Sequence, residues 1–373
     1  MRTFFTLPIP ILLAAAAPAF AQGPLVVMAA DPTGQIRFFD AALAPLGAIS
    51  GSHQVESVAA SPDGRRLYIA RPGQKTDGSC CGLYTLDLET RKTCLLAEPA
   101  LFGAPSPDGR FLFTQGKRGV DVFDAVTLSS LGTMKAPGAY NLQPSPEGRW
   151  LLGVTNSPQP SLDIFDMAAS GVVRRLLIPA GPVTGAWAGD RFYLFSYGAG
   201  MAPGTGWLWS VKPDDTELPP ARGIELPDLH GACNEPVLLM LAGSPDRLYL
   251  AEAFGFNLAE AFGVKVDRRA YCPDAVRDGI YAIHPYNGRV SHIAPAVHVN
   301  RMVVSPDGRD LYVIDSSGPS PQSNCRLLHI DTRTGGILQD AALARGHWNL
   351  ALARIPPALI PRGNVSAVAS CSR

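Results

Sequence analysis

Apolar and polar positions alternate along most of this chain in short bursts, and turn-forming residues separate one burst from the next. "RRLYIA" at 65–70 and "RDLYVI" at 309–314 are typical. Each predicts a half-buried strand. About ten residues further on comes a second kind of run, a strand that leads into a turn rich in Asp, Thr and Gly and then into another strand. "GLYTLDLETRKT", "GVDVFDAVTLSS", "SLDIFDMAASG", "GIYAIHPYNG" and "LLHIDTRTGG" are its examples.

The first kind of run opens on a turn motif. "SPDGRRLYIA" begins at Ser61, "SPDGRFLFTQ" at Ser106, "SPEGRWLLGV" at Ser145 and "SPDGRDLYVID" at Ser305, with looser copies "AGDRFYLFSY" at Ala188 and "SPDRLYLAEA" at Ser244. In this motif Pro presets φ for a tight turn, Asp or Glu bonds local backbone, and Gly accepts positive φ. The six copies start 39–61 residues apart, the period of four-stranded propeller blades.

The two ends supply a seventh unit. "LVVMAADPTGQIRFFDAALAPLGAIS" at 25–50 reads as the second, third and fourth strands of a blade lacking its first, and "GHWNLALARI" at 346–355 reads as a first strand lacking the rest. The predicted fold is therefore an all-β, seven-bladed β-propeller closed by a blade that the N-terminal (25–50) and C-terminal (346–355) segments share. Such closure leaves no open sheet edge between the chain ends.

On the "SPDG…LY" and "D…TG" turns the chain resembles the YVTN and WD40-like exported bacterial propellers. It is loosely similar to the propeller subunits of periplasmic amine dehydrogenases. That resemblance implies a binding protein or an accessory subunit of a redox enzyme. In amine dehydrogenases the tryptophan-derived quinone lies on a separate small subunit, so the resemblance carries over no catalytic residue.

Composition narrows the partners. Lys and Arg number 32 and Asp and Glu 32, for a net charge of +0, so no basic field draws nucleic acid or anionic lipid. The opening "MRTFFTLPIPILLAAAAPAFAQG" has a positive start at Arg2, an apolar core and a small-x-small site, Ala19-Phe20-Ala21. It reads as a secretory signal peptide over 1–21, followed by a propeller over 22–355, a tail over 356–373 and export to the periplasm or beyond.

Blade geometry sorts the loops onto two faces. The "SPDG" turns and the third-to-fourth strand turns share one face, the bottom. Blade crossings and second-to-third strand loops share the other, the top, where the long irregular segments fall (71–82, 198–206, 228–236, 254–279 and 316–325). Binding is expected there, to a protein partner or a small ligand.

Seven cysteines in an exported chain point to disulfides. Cys80, Cys81, Cys233, Cys272 and Cys325 fall on the top, and Cys233 with Cys272 is the expected pair there. Cys94 and Cys371 meet at the bottom as a second candidate pair. The adjacent Cys80 and Cys81 either form a strained vicinal bridge or bond two different partners, such as Cys325.

Four histidines lie near the top ends of inner strands: His53, His230, His298 and His347. His347, His53 and His298 belong to consecutive blades, and three neutral imidazoles with an open position suit copper, zinc or iron. Under that reading the protein is a metallo-oxidoreductase, with Glu56, Arg301 and Tyr140 around the metal. Under the binding reading His230, Arg301, Glu56 and Tyr140 hold ligand, Arg301 gripping a carboxylate. His284, His292 and His329 fall in or beside outer strands and are structural. No serine-nucleophile elbow, phosphate-binding loop, "HExxH", dinucleotide "GxGxxG" or haem-attaching "CxxCH" occurs.

Overall fold

A computed structural model describes residues 23–368 apart from 32, 52–54, 72–81, 101, 117, 137–139, 156–158, 168–170, 180–182, 198–204, 226–237, 254–278, 296–298, 316–324 and 345–348. The strands form seven antiparallel sheets in a ring. Blade 1 runs from Ser57–Ala60 out to Thr93–Ala97, blade 2 from Ala104–Pro105 to Ser130–Met134, and blade 3 from Tyr140–Pro144 to Gly171–Leu177. Blade 4 runs from Val183–Ala188 to Arg222–Glu225, blade 5 from Leu238–Gly243 to Val290–Pro295, and blade 6 from Val299–Val304 to Ile337–Leu343.

Blade 7 is the shared one. Its inner strand Asn349–Arg354 pairs with Leu25–Ala30, Met28 standing opposite Ala351. Gln35–Asp40 and Pro45–Ser50 complete it, and the ring closes as the sequence implies.

The second strand of each blade is buried on both faces, which corrects the expectation of half-burial. Leu67, Tyr68 and Ala70 are 0% exposed and Ile69 3%. Alternate residues serve different neighbours. Leu67 and Ile69 pack against blade 7 around Phe38 and Val26, whereas Tyr68 and Ala70 pack against blade 2 around Leu112 and Phe123. Each of the seven seams has an apolar cluster of this kind. Fully burying one such side chain is worth about 1.5–3 kcal/mol, so the seams, not any single sheet, hold the ring.

The "SPDG" turns behave as their residues imply, with one addition. Gly64 has φ +66°, and a Cβ there would run into the Arg354 carbonyl of blade 7, so only glycine fits. The serine, given no role from sequence, is buried, and its Oγ accepts from the backbone five residues on. Arg66 N donates to Ser61 Oγ at 2.9 Å, and Phe111 N and Asp310 N repeat the bond to Ser106 and Ser305. In the outer turns Asp87, Asp124 and Asp331 each accept from the backbone N–H and hydroxyl of the threonine three residues on.

The tail adds a feature that the sequence pattern does not announce. Gly363–Ser366 lies parallel to Pro45–Ser50 as a fifth strand of blade 7. Val368 then bridges to Lys92 on the outer edge of blade 1, and Val368 N donates to Arg91 O at 2.8 Å.

Candidate functional site at the channel mouth

Inner strands present their top ends to the mouth of the central channel, and there blades 6, 7 and 1 are tied by one polar chain. Arg301, third residue of Val299–Val304, donates from Nε to Asn349 Oδ1 at 3.1 Å and from Nη1 to the Asn300 carbonyl at 3.0 Å. Asn349 in turn donates to the Val55 carbonyl at 3.3 Å, in a buried contact. Glu56 follows Val55, is exposed, and ties its backbone N–H to Ala70 O at 2.8 Å.

Burial lowers the Arg301 pKa below the usual guanidinium value, and the charge of Glu56 opposes that shift. The side chain still stays cationic at any physiological pH. Among the described residues no carboxylate lies within ion-pair distance of it.

Two carboxylates with buried side chains are neutralised by arginines. Asp163, with a fully buried side chain, is gripped by Arg175 at 2.6 Å, and Asp315 by Arg326 at 2.7 Å. Arg301 departs from that pattern, and so does Arg71. Arg71 is 9% exposed at the top end of Arg66–Arg71. It lies 4.0 Å over the Tyr84 ring, and its Nε meets no partner among the described residues. Burial lowers its pKa too, with Tyr84 opposing. Sequence reasoning passed Arg71 over, although an arginine closing the otherwise apolar "LYIAR" was a signal. Arg71 lies farther out than Arg301, beside Tyr84 and Gly51 at the outer strands, so Arg301 is the desolvated cation at the channel mouth itself, where an anion would be favoured.

The other expected site residues divide into three groups. His53, His230, His298 and His347 lie outside the described residues, as do Cys80, Cys81, Cys233, Cys272 and Cys371. Among the described residues no three metal-ligating side chains cluster. Tyr140 opens the inner strand of blade 3, three blades around the ring from Arg301, and its side chain is not among those described. His284, His292 and His329 are in or beside outer strands as expected. His292 stacks on Tyr281, and His329 stacks on Tyr312 and bonds Asp310 at 2.8 Å.

Two cysteines are placed. Cys94 is disulfide-bonded, to a partner outside the described residues. Cys325, which the sequence put at the end of a loop, is the buried first residue of Cys325–Asp331.

Fold and rim together define the class: a closed seven-bladed propeller with a cationic channel mouth. No protein-family model matches the chain, and no curated sequence matches it. Solved structures share the fold. Hydrazine synthase of Kuenenia stuttgartiensis aligns with a TM-score of 0.55 at 14% identity, over 74% of this chain and 76% of its own. The dihydro-heme d1 dehydrogenase NirN, solved in complex with DHE, gives 0.54 at 14% over 95% and 80%. The propeller domain of the Trilobed protease from Pyrococcus furiosus gives 0.53 at 14% over 78% and 85%. At such identities the likeness is one of architecture.

Proposed function

We propose that this is an exported binding propeller whose channel mouth holds the carboxylate of a small ligand or of a partner protein, with Arg301 as the anchor. One observation carries the reading. Arg301 is a desolvated cation held by a neutral asparagine and a carbonyl, with no carboxylate within ion-pair distance among the described residues. A buried guanidinium that meets a carboxylate gains a bidentate, charge-assisted contact. Asn349, tied to blade 1 through Val55, fixes the Arg301 Nε and the Asn300 carbonyl takes one Nη1 proton, which leaves Nη2 and the second Nη1 proton to the ligand.

Calorimetry with succinate and glutarate, and capture of partners from periplasmic extract, test the proposal. Arg301→Gln is expected to weaken binding by at least about tenfold, since a hydrogen bond to a charged group contributes about 1.5–3 kcal/mol. Arg301→Lys restores part of the loss. Equal binding by the Gln variant would overturn the assignment. So would a stoichiometric metal ion that is lost on His298→Ala, which would put the metallo-oxidoreductase in its place. A finer role, as an accessory subunit of a redox enzyme, predicts co-purification with such an enzyme in an Arg301-dependent manner.

The bonded state of Cys94 supports export, since disulfides persist in oxidising compartments. Cys371 is the partner we propose. The parallel bridge of Lys92 with Val368 supports the pairing, because Cys94 follows Lys92 by two residues and Cys371 follows Val368 by three. Peptide mapping without reductant is expected to recover a peptide pair joining Cys94 to Cys371. A Cys94 peptide joined to any other cysteine would refute the pairing.

A further inference from the structure

Four blades place a tyrosine at the same point of the second strand, and the repeat therefore supplies its own controls. Tyr249 of blade 5 donates to the Gly308 carbonyl in the "SPDG" turn of blade 6 at 3.4 Å and also bonds the side chains of Thr332 and Ser244. Tyr312 of blade 6 donates to the Ala41 carbonyl of blade 7 at 3.0 Å. Tyr193 of blade 4 bonds Ser210. Tyr68 of blade 1 is 0% exposed, and its hydroxyl has no hydrogen-bond partner among the described residues. A buried orphan hydroxyl costs about 1–3 kcal/mol.

Two substitutions explain the orphan. The residue after the outer-turn aspartate occupies an equivalent place in several blades. Its N–H donates to the carbonyl of the arginine that follows the "SPDG" turn: Thr332 to Arg309, Ala125 to Arg110, Leu88 to Arg65. At the seam of blades 5 and 6 that residue is Thr332, whose hydroxyl fills the gap by donating to Gly308 O and Arg309 O. At the seam of blades 1 and 2 it is Ala125, which has no hydroxyl. The Ala125 carbonyl, counterpart of the Ala41 carbonyl that serves Tyr312, is already taken. Arg66 Nη1 donates to it at 2.8 Å and to Val126 O at 2.7 Å, whereas blade 6 has Asp310 in the place of Arg66.

The space thus left is a cavity of about 300 Å³ on the bottom face, to whose lining Tyr68 contributes. That is the lower end of small-molecule sites. Its wall carries the carboxylates of Asp63, Asp87, Glu89 and Asp108 against the guanidinium groups of Arg65 and Arg66. Arg66 is occupied by carbonyls, and Arg65 reaches Glu89 only at 3.8 Å in an exposed pair. Four negative groups against two positive ones leave an anionic cavity. The phenol oxygen sits within reach of that field, of Arg66 and Asp63 above all. Burial pushes its pKa up to about 12, so it remains a neutral donor.

We propose that this interblade cavity is a second binding site, for a small organic ammonium compound whose cation faces Asp63 and Asp108 and whose polar group bonds the Tyr68 hydroxyl. The site is independent of the channel mouth, on the opposite face and of opposite charge preference.

Calorimetry of the full chain with butanediamine and ethanolamine, against butanediol as the uncharged control, tests it. Saturable binding of the amines and none of the diol is expected. Ala125→Thr, which installs the hydroxyl found at Thr332, should weaken amine binding by at least about tenfold. Tyr68→Phe should weaken it by several-fold while keeping the ring in the core. Tyr312→Phe, the same change in a seam whose tyrosine is satisfied, should leave amine affinity unchanged. Absence of saturable amine binding, equal affinity of amine and diol, or undiminished binding in both Ala125→Thr and Tyr68→Phe would each overturn the proposal. Uptake of calcium in place of the amines, with the same dependence on variants, would overturn the organic ligand.

Discussion

The seam between blades 1 and 2 and the seam between blades 6 and 7 start from almost the same turn and strand, "SPDGRRLY" and "SPDGRDLY". Both bury their tyrosine ring completely, Tyr68 among Leu83, Leu112 and Phe123, and Tyr312 among Val27, Phe39 and Leu327. The apolar content is equivalent, yet one hydroxyl is satisfied and the other is not. One residue two places before the tyrosine, Arg66 against Asp310, decides which group claims the neighbouring carbonyl. Apolar pattern therefore settles that the blades pack, while the single polar positions around each turn settle what each seam can bind.

The largest effect tests the apolar half of that comparison. Tyr68→Ala and Tyr312→Ala should each destabilise the ring by about 3–5 kcal/mol, the cost of emptying an aromatic site in a packed core. Chemical denaturation monitored by fluorescence would measure it. A much smaller loss at Tyr68 would mean that the two seams differ in packing too, and the contrast would no longer be one of polar groups alone.

The next effect isolates the hydroxyl. Tyr312→Phe leaves the Ala41 carbonyl without its donor and should cost about 1 kcal/mol, whereas Tyr68→Phe removes an unpartnered group and should be neutral or slightly stabilising. Ala125→Thr is expected to stabilise by about 0.5–1.5 kcal/mol through a hydrogen bond of the kind Thr332 makes. Equal losses for the two Tyr→Phe variants in the same denaturation series would show that Tyr68 has a partner after all.

Architecture was legible in the sequence because it rests on repeats: the "SPDG" turns, the strand periods and the complementary half-blades at 25–50 and 346–355. The site was less so. Arg301 stood out as a charge in an apolar strand, but its isolation from carboxylates depends on Asn349 and Val55, some 50 and 250 residues away in sequence. Arg71 was hidden because a strand buried on both faces could not be told from a half-buried one by alternation. The Tyr68 cavity was hidden more deeply. Its unpartnered hydroxyl reflects Ala125 standing where another blade has threonine, a difference that acquires meaning only when seams are superimposed. The tail strand Gly363–Ser366 has no apolar alternation strong enough to announce itself, and it pairs through backbone to an edge already present.

The smallest effect concerns what the two seams share. Asp124 beside the first seam, like Asp307 in blade 6, has its pKa lowered in the fold. For Asp124, burial pushes upward but is outweighed by the hydrogen bonds from Thr127 and Val126; for Asp307, the Ser305 hydroxyl is the chief cause. A carboxylate whose folded pKa lies below its unfolded value, about 3.9, adds stability that is fully present above that value and disappears as pH falls through the folded one. Thermal midpoints should therefore drop as pH is lowered from about 5 to about 3, with the turns of both seams loosening together. Asp124→Asn and Asp307→Asn should flatten that drop by a few tenths of a kcal/mol each, because Asp307 is exposed, Asp124 only part-buried, and solvent screens both. If Asp124→Asn flattened it much more than Asp307→Asn, the cavity beside Asp124 would be setting the acid response, and the two seams would not share one response to acid.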